Sequence, residues 1–185
     1  MSSLVEPTIM KICIVGDTNT GKTSLQTFFV KKRFKRNYHP TIGSDFSFKE
    51  MRTKGGSNYR LAIWDLSGDD KYKQSHSTYY QGISGLIAVF DLTRRETLDS
   101  LISWLNSIEK IVPLTFPIFL VGNKKDLVHF SSDTVSDNDV RNMRIRFNES
   151  QQSEVEFYSF KTSAKTGENV EDLFNHLIET IDSYK

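Results

Sequence analysis

Ile12-Cys13-Ile14-Val15-Gly16-Asp17-Thr18-Asn19-Thr20-Gly21-Lys22-Thr23 decides how the rest of the chain is read. The first four residues are an unbroken apolar run, the pattern expected of a strand covered on both faces. The next eight satisfy G-x-x-x-x-G-K-[ST], and Leu25, Phe28 and Phe29 then open a helical pattern. Strand, Gly-rich loop and helix start, in that order, aim successive backbone N–H groups at a phosphate at the positive end of the helix dipole. Asn19, Thr20, Gly21, Lys22, Thr23 and Ser24 are therefore candidate phosphate contacts, with Lys22 adding a point charge and the Thr23 hydroxyl able to ligate Mg²⁺. The plain alternative is a chance Gly-rich turn, against which the flanking strand and helix argue. Asn19 stands where a wrapping backbone often wants glycine, and Asn tolerates positive φ better than most residues.

Outward from this loop the chain alternates. Leu86 to Phe90 and Ile118 to Val121 repeat the continuous apolar run and read as further central strands. Leu98, Leu101, Ile102, Leu105 and Ile108 fall on one helical face. So do Val170, Leu173, Phe174, Leu177, Ile178 and Ile181, with Glu171 and Asp172 in the first turn where the dipole favours them. Between Asp45 and Thr53 and between Tyr59 and Asp65 the period drops to two, and Lys54-Gly55-Gly56-Ser57 reads as the turn of a hairpin. The expected fold is α/β: a mostly parallel sheet with one antiparallel edge pair and helices on both faces, with ligands at the carboxyl ends of strands. His129 to Asp139 and Glu149 to Glu154 are polar, poor in periodicity, and read as the least ordered stretches.

The 185 residues suit one domain with a core on both sides of a sheet. With 24 Lys plus Arg against 23 Asp plus Glu, the net charge of +1 offers no broad attraction to nucleic acid or anionic membrane. The basic run Lys31-Lys32-Arg33, followed by Lys35 and Arg36, reads first as a solvated helix end and second as a phosphate or partner contact. Cys13 is the only cysteine, so no internal disulfide forms, and a reducing compartment fits. No stretch has the apolar length to span a bilayer.

Three further motifs lie at expected strand ends. Asp65-Leu66-Ser67-Gly68 places a carboxylate near Mg²⁺ and the Gly68 N–H near a terminal phosphate. Thr41, in Pro40-Thr41-Ile42-Gly43, can join the metal when a third phosphate is present and leave when it is not. Either tetrapeptide alone is an ordinary turn. In Gly122-Asn123-Lys124-Lys125-Asp126, Asp126 can accept both the N1–H and the exocyclic amine of guanine, a donor pair that adenine lacks. Asn123 can brace the loops and the Lys124 stem can cover a base face. Thr162-Ser163-Ala164-Lys165 can offer a backbone N–H to the guanine oxygen.

Together these motifs resemble the Ras superfamily of small GTPases from about Lys11 to Tyr184. Within it they are most similar to the Rab family, through Ile42-Gly43-Ser44-Asp45-Phe46, Leu61-Ala62-Ile63-Trp64-Asp65, Tyr79-Tyr80-Gln81-Gly82 and Asp91-Leu92-Thr93. The resemblance implies a P-loop small G-domain over residues 1–185, with a six-stranded, mostly parallel sheet and one antiparallel edge strand. It also implies GTP or GDP with Mg²⁺ as ligands and a switch role in vesicle trafficking. Thr23, Thr41 and Asp65 would hold the metal; Lys22, Thr41, Gly68 and Asp69 would serve hydrolysis. Phe34 would cross the guanine, and Tyr38, Ser163, Ala164 and Lys165 would join the nucleotide contacts. Phe46, Trp64 and Tyr79 would form an aromatic patch for effectors, core packing being the equal alternative for Tyr79. Effectors, exchange factors and GTPase-activating proteins would engage Thr41–Phe48 and Trp64–Tyr80.

Two departures qualify the resemblance. The position after D-x-x-G, where the family carries a water-orienting Gln, is Asp69, followed by Asp70. An ionised Asp cannot donate toward the γ-phosphate. At ~5 Å and an effective dielectric of about 20 its repulsion with one phosphate charge is roughly 3 kcal/mol, enough to slow hydrolysis on the order of a hundredfold. Thr18 is expected to crowd an incoming arginine finger. Weak hydrolysis follows, with a nucleotide-holding regulatory module that scarcely hydrolyses as the alternative. A P-loop kinase or ATPase fails on Asp126. The second departure is a lipidated cysteine tail, absent from these residues, through which any membrane attachment is expected to run. The expected localisation is cytoplasmic, the cytosolic face of endomembranes being the further option.

Overall fold

The computed structural model describes residues 7–34, 41–69, 72, 76–151 and 155–184. In chain order its elements are β1 (Thr8–Val15), α1 (Lys22–Lys31), β2 (Ser44–Arg52), β3 (Asn58–Leu66), α2 (Ser77–Tyr80), β4 (Gly85–Asp91), α3 (Arg95–Asp99), α4 (Leu101–Glu109), β5 (Ile118–Asn123), α5 (Asp137–Gln151), β6 (Phe157–Lys161) and α6 (Val170–Ser183), with a 3-10 helix at Lys125–Phe130 after β5. The strands form one six-stranded sheet ordered β2-β3-β1-β4-β5-β6. β2 runs antiparallel to β3 at the edge, and every other neighbouring pair is parallel. This is the sheet expected from the alternating pattern and the hairpin.

The apolar runs explain why the core has two layers. Because side chains alternate across a strand, Cys13 and Val15 face one side while Ile12 and Ile14 face the other. On the first side they meet Leu86, Ala88, Phe90 and Leu120 under Leu101, Trp104, Leu105, Met143 and Phe147. On the second they meet Ile63, Val89, Phe119 and Val121 under Leu25, Phe29, Leu173, Phe174 and Leu177. Phe29 of α1 stacks on Phe174 of α6 with ring centroids 3.7 Å apart, joining the two helices of that layer.

Two expectations need correction. The stripe from Leu98 to Ile108 is not one helix: it is interrupted at Ser100, between α3 and α4. The Ser100 hydroxyl there donates to Asp17 Oδ2 at 2.6 Å and to Thr97 O. The polar stretches expected to be least ordered overlap both ends of α5, at residues 137–139 and 149–151. Only Val140, Met143 and Phe147 of its fifteen residues are buried, too sparse a stripe to read as a helix from periodicity. Its start is fixed instead by a reciprocal capping box. Asp139 N donates to Ser136 Oγ at 3.2 Å while Ser136 N donates to Asp139 Oδ2 at 2.9 Å. Residues 152–154 lie outside the described residues.

Strand order turns back at β1, which has β3 on one side and β4 on the other. A crevice at the carboxyl ends of such strands is where open α/β sheets bind ligands. The phosphate loop leaves the end of β1, Asp65 is the last residue but one of β3, Asp91 ends β4 and Asn123 ends β5.

Candidate functional site

Residues 16–21 form the loop between β1 and α1. Asn19 adopts φ +63°, the left-handed conformation that its type tolerates, so the loop closes without glycine there. Gly21 is different: at φ +92°, a Cβ on it would stand 2.3 Å from the Asn123 amide nitrogen. Thr20 Oγ1 donates to Asp17 O at 2.9 Å and Lys22 Nζ donates to the same carbonyl at 2.8 Å. Lys22 is buried, and that desolvation pulls its ammonium down to about 8 against the opposing pull of Asp65 and Asp17. The Asp17 side chain holds the loop from outside, accepting from Ser100 Oγ and, at 2.9 Å, from Trp104 Nε1.

Three oxygens meet at the start of α1. Thr23 Oγ1 donates to Asp65 Oδ2 at 2.5 Å, lies 2.9 Å from Thr41 Oγ1, and Thr41 Oγ1 is 3.3 Å from the same carboxylate oxygen. Asp65 is fully buried, and desolvation raises its carboxyl to about 6 despite the Thr23 hydrogen bond and the Lys22 charge. Its Oδ1 is buried with no hydrogen-bond partner. A buried carboxylate oxygen without a donor, beside two hydroxyls, fits a hard divalent cation that takes oxygen ligands and keeps waters or phosphate oxygens for the rest. The donor set therefore suits Mg²⁺. Among the described residues no cluster of three or more His, Cys, Asp or Glu offers an alternative metal site.

Lys22, Thr23 and Thr41 line a cleft that also includes Asn19, Gly68, Asp69 and Tyr72. Gly68 lies so close to the phosphate loop that a Cβ on it would be 2.4 Å from Thr18 N. The segment after β3 and the loop after β1 are thus packed backbone to backbone. Asp69 follows directly, on the wall of the same cleft.

The second half of the site is built from the ends of β5 and β6. Asn123 Nδ2 donates to Thr20 O at 2.9 Å, while its Oδ1 accepts from Ala164 N at 3.0 Å and from Thr162 Oγ1 at 3.3 Å. One amide thus ties three loops together. Asp126 accepts from Ser163 Oγ at 2.6 Å and lies 3.5 Å from Lys165 Nζ. Lys124 takes φ +65° and its Nζ reaches Asp91 Oδ2 at 2.7 Å. Phe34, just past α1, is 39% exposed. Tyr38 lies outside the described residues. Phe46 and Trp64 of the outer hairpin and Tyr79 of α2 form a run of tilted rings with centroid separations of 4.4 and 4.9 Å. Tyr79 serves both readings, since it packs against the core as well as against Trp64.

The structure adds residues the sequence reading did not single out. Asp17, Ser100 and Trp104 brace the phosphate loop, and Asp91 with Arg94 links it to the Lys124 loop. Ser67 and Tyr72 line the cleft. The visible hint was Asp91-Leu92-Thr93, a strand-end Asp whose side chain accepts from Thr93 N two residues on. Nothing in the sequence pairs Asp17 with Trp104.

This strand order, with a phosphate loop, a carboxylate–hydroxyl cluster and a strand-end Asn brace at one rim, defines a small G-domain. The chain belongs to the Ras family, whose model matches residues 11–183. It is 37% identical to Ras-related protein Rab-4A of Bos taurus over 90% of this chain and 71% of that protein. Ras-related protein Rab-4B of Rattus norvegicus is 34% identical over 94% of this chain and 76% of its own length, and Rab-4A of Danio rerio is 35% identical over 90% and 73%. These relatives make the chain a Rab-type member. Proteins of the family bind guanine nucleotide with Mg²⁺, hydrolyse GTP, and are read by effectors, exchange factors and activating proteins. No helix among the described residues is long and apolar enough to cross a membrane.

Proposed function

We propose that this chain acts as one guanine-nucleotide switch domain of the Rab type, in vesicle trafficking at the cytosolic face of endomembranes, with weak intrinsic GTP hydrolysis. The observation that carries the reading is the buried Asp65 carboxylate, whose Oδ2 meets the Thr23 and Thr41 hydroxyls while its Oδ1 has no hydrogen-bond partner. The Asn19–Ser24 backbone and Lys22 take the phosphates, and Thr23, Thr41 and Asp65 hold Mg²⁺, which when bound neutralises charge on the β- and γ-phosphates. Asp126 reads the guanine edge by exchanging its Ser163 and Lys165 partners for the base's donors. Asn123, Ala164 and Lys124 keep that loop in register with the phosphate loop. Phe34 and Tyr38 border the nucleotide.

Hydrolysis needs a water held in line with the γ-phosphate. Gly68 is fixed against the phosphate loop, so Asp69 is held at the cleft wall, where an ionised carboxylate accepts from water yet repels the phosphate. That observation also favours the second reading, a regulatory module that holds nucleotide and scarcely turns it over. The effector surface is the Thr41–Phe48 and Trp64–Tyr80 region, whose exposed rings change surroundings when Thr41 and Gly68 engage a third phosphate.

The test is to denature purified protein and identify the released nucleotide, then displace labelled GDP with GTP or ATP in the presence of Mg²⁺. Release of GDP or GTP, with displacement by GTP alone, is expected. An empty protein that takes up neither guanine form, or displacement by ATP, refutes guanine recognition. Single-turnover hydrolysis of bound GTP then separates a slow GTPase from a holding module.

A further inference from the structure

Arg94 sits outside every motif that defines the site, yet it touches the phosphate loop. Its Nε donates to Asp91 Oδ2 at 3.1 Å, and its Nη2 donates to the Thr18 carbonyl at 3.2 Å. Glu96 Oε1 stands 4.0 Å from its Nη1. Asp91 is the buried base of this arrangement: it also accepts from Thr93 N, Thr93 Oγ1 and Lys124 Nζ. These donors hold its carboxyl below the ordinary carboxylate range, although burial opposes them. A guanidinium is a rigid planar fork, so anchoring Nε on Asp91 fixes where Nη2 points.

The carbonyl that Arg94 holds belongs to the peptide joining Thr18 to Asn19. In a planar trans peptide the C=O and the following N–H point in opposite directions. Thr18 and Asn19 line the cleft, whereas Arg94 is not among its lining residues. With the Thr18 carbonyl turned outward to the guanidinium, the Asn19 N–H is turned toward the cleft. Asn19 is also the one non-glycine residue of the loop at positive φ, the position where this peptide plane has least intrinsic preference for one orientation.

We propose that Arg94 is a positioning residue of the phosphate loop: tethered by Asp91, it pins the Thr18 carbonyl outward and so presents the Asn19 amide to a nucleotide phosphate. This rests on the guanine-nucleotide reading above and adds a residue to it. Asp91 makes the pin report on both ends of the ligand, since the same carboxylate holds Lys124 of the base-side loop. Removing Arg94 leaves Asp91 with Lys124 and Thr93 as partners, so the fold around it is retained.

The experiment follows release of fluorescent GDP from Mg²⁺-loaded protein together with the Asn19 amide resonance. Arg94→Ala is expected to release GDP about tenfold faster, as loss of a charge-assisted hydrogen bond implies, and to shift the Asn19 amide while leaving the melting temperature nearly unchanged. Arg95→Ala, which removes the neighbouring ion pair to Asp139, is expected to change neither. Arg94→Lys keeps the charge without the fork, and is expected to release GDP faster than the parent protein and to show the same Asn19 shift. It also serves if Arg94→Ala folds poorly. Release at the parental rate in Arg94→Ala, an equal effect of Arg95→Ala, or full recovery by Arg94→Lys overturns the assignment. A parent protein that retains no guanine nucleotide overturns the function itself, a different result from parental binding with an inert Arg94.

Discussion

Asp69 is the residue whose chemistry departs most from what its place in the site calls for. It lines the cleft with Lys22, Thr23 and Thr41, and Gly68 before it has no room to withdraw, because its Cα is packed against the Thr18 backbone. A carboxylate fixed there adds negative charge where a phosphoryl transfer already concentrates it. Asp69→Gln restores a side chain that both accepts and donates, and single-turnover GTP hydrolysis is expected to rise on the order of a hundredfold. An unchanged rate would mean that the barrier is set elsewhere, with Thr18 the next group to alter. The residues that carry this chemistry were legible early, because Lys22, Thr23, Asp65 and Asp126 sit in motifs whose spacing is local. Asp17 and Arg94 were not, since their partners lie 83 and 76 residues away in the chain.

At the scale of elements, the site depends on helices that never touch it. α1 begins at the phosphate loop, and its far face is held by the Phe29–Phe174 stack against α6. Both rings are fully buried. Phe174→Ala removes a large buried ring and leaves a cavity, which should destabilise the fold by about 3–5 kcal/mol, read as a lower urea midpoint with an unchanged slope. Protein that remains folded should still bind nucleotide, because no residue of α6 lines the cleft. A midpoint shift of less than about 1 kcal/mol would show that the layer repacks around the loss. α4 acts more directly through Trp104, whose indole N–H holds Asp17. The helical stripe around Leu105 was legible in sequence; the interruption at Ser100 was not, because it serves a hydrogen bond to another element. α5 escaped for the opposite reason, its capping box being plain but its buried face only three residues wide.

For the whole molecule, the central sheet is the last part expected to open. Cys13 lies in β1 between β3 and β4, fully buried, and burial pushes its thiol up to about 12. Thiolate is the reactive form, so Cys13 should resist alkylation at about pH 8 in the native protein. Its labelling in urea should coincide with the loss of far-UV circular dichroism, as for a group exposed only by global unfolding. Labelling well before that transition would reveal that the β1–β4 seam opens on its own.

What the sequence by itself determined was everything carried by short-range pattern: the strand–loop–helix cradle, the hairpin, the doubly covered strands, and the residue types able to grip phosphate, metal and guanine. Those signals are local because helix and strand periodicity and turn chemistry act over a few residues. Only the tertiary structure decided how the rims meet. Asn123 joins three loops, Asp65 meets two hydroxyls through one carboxylate oxygen and leaves the other unsatisfied, and Asp91 and Arg94 couple the base side to the phosphate side. Each depends on where the sheet order brings strand ends that are distant in the chain, and on burial, which sets the worth of every charge once water is excluded.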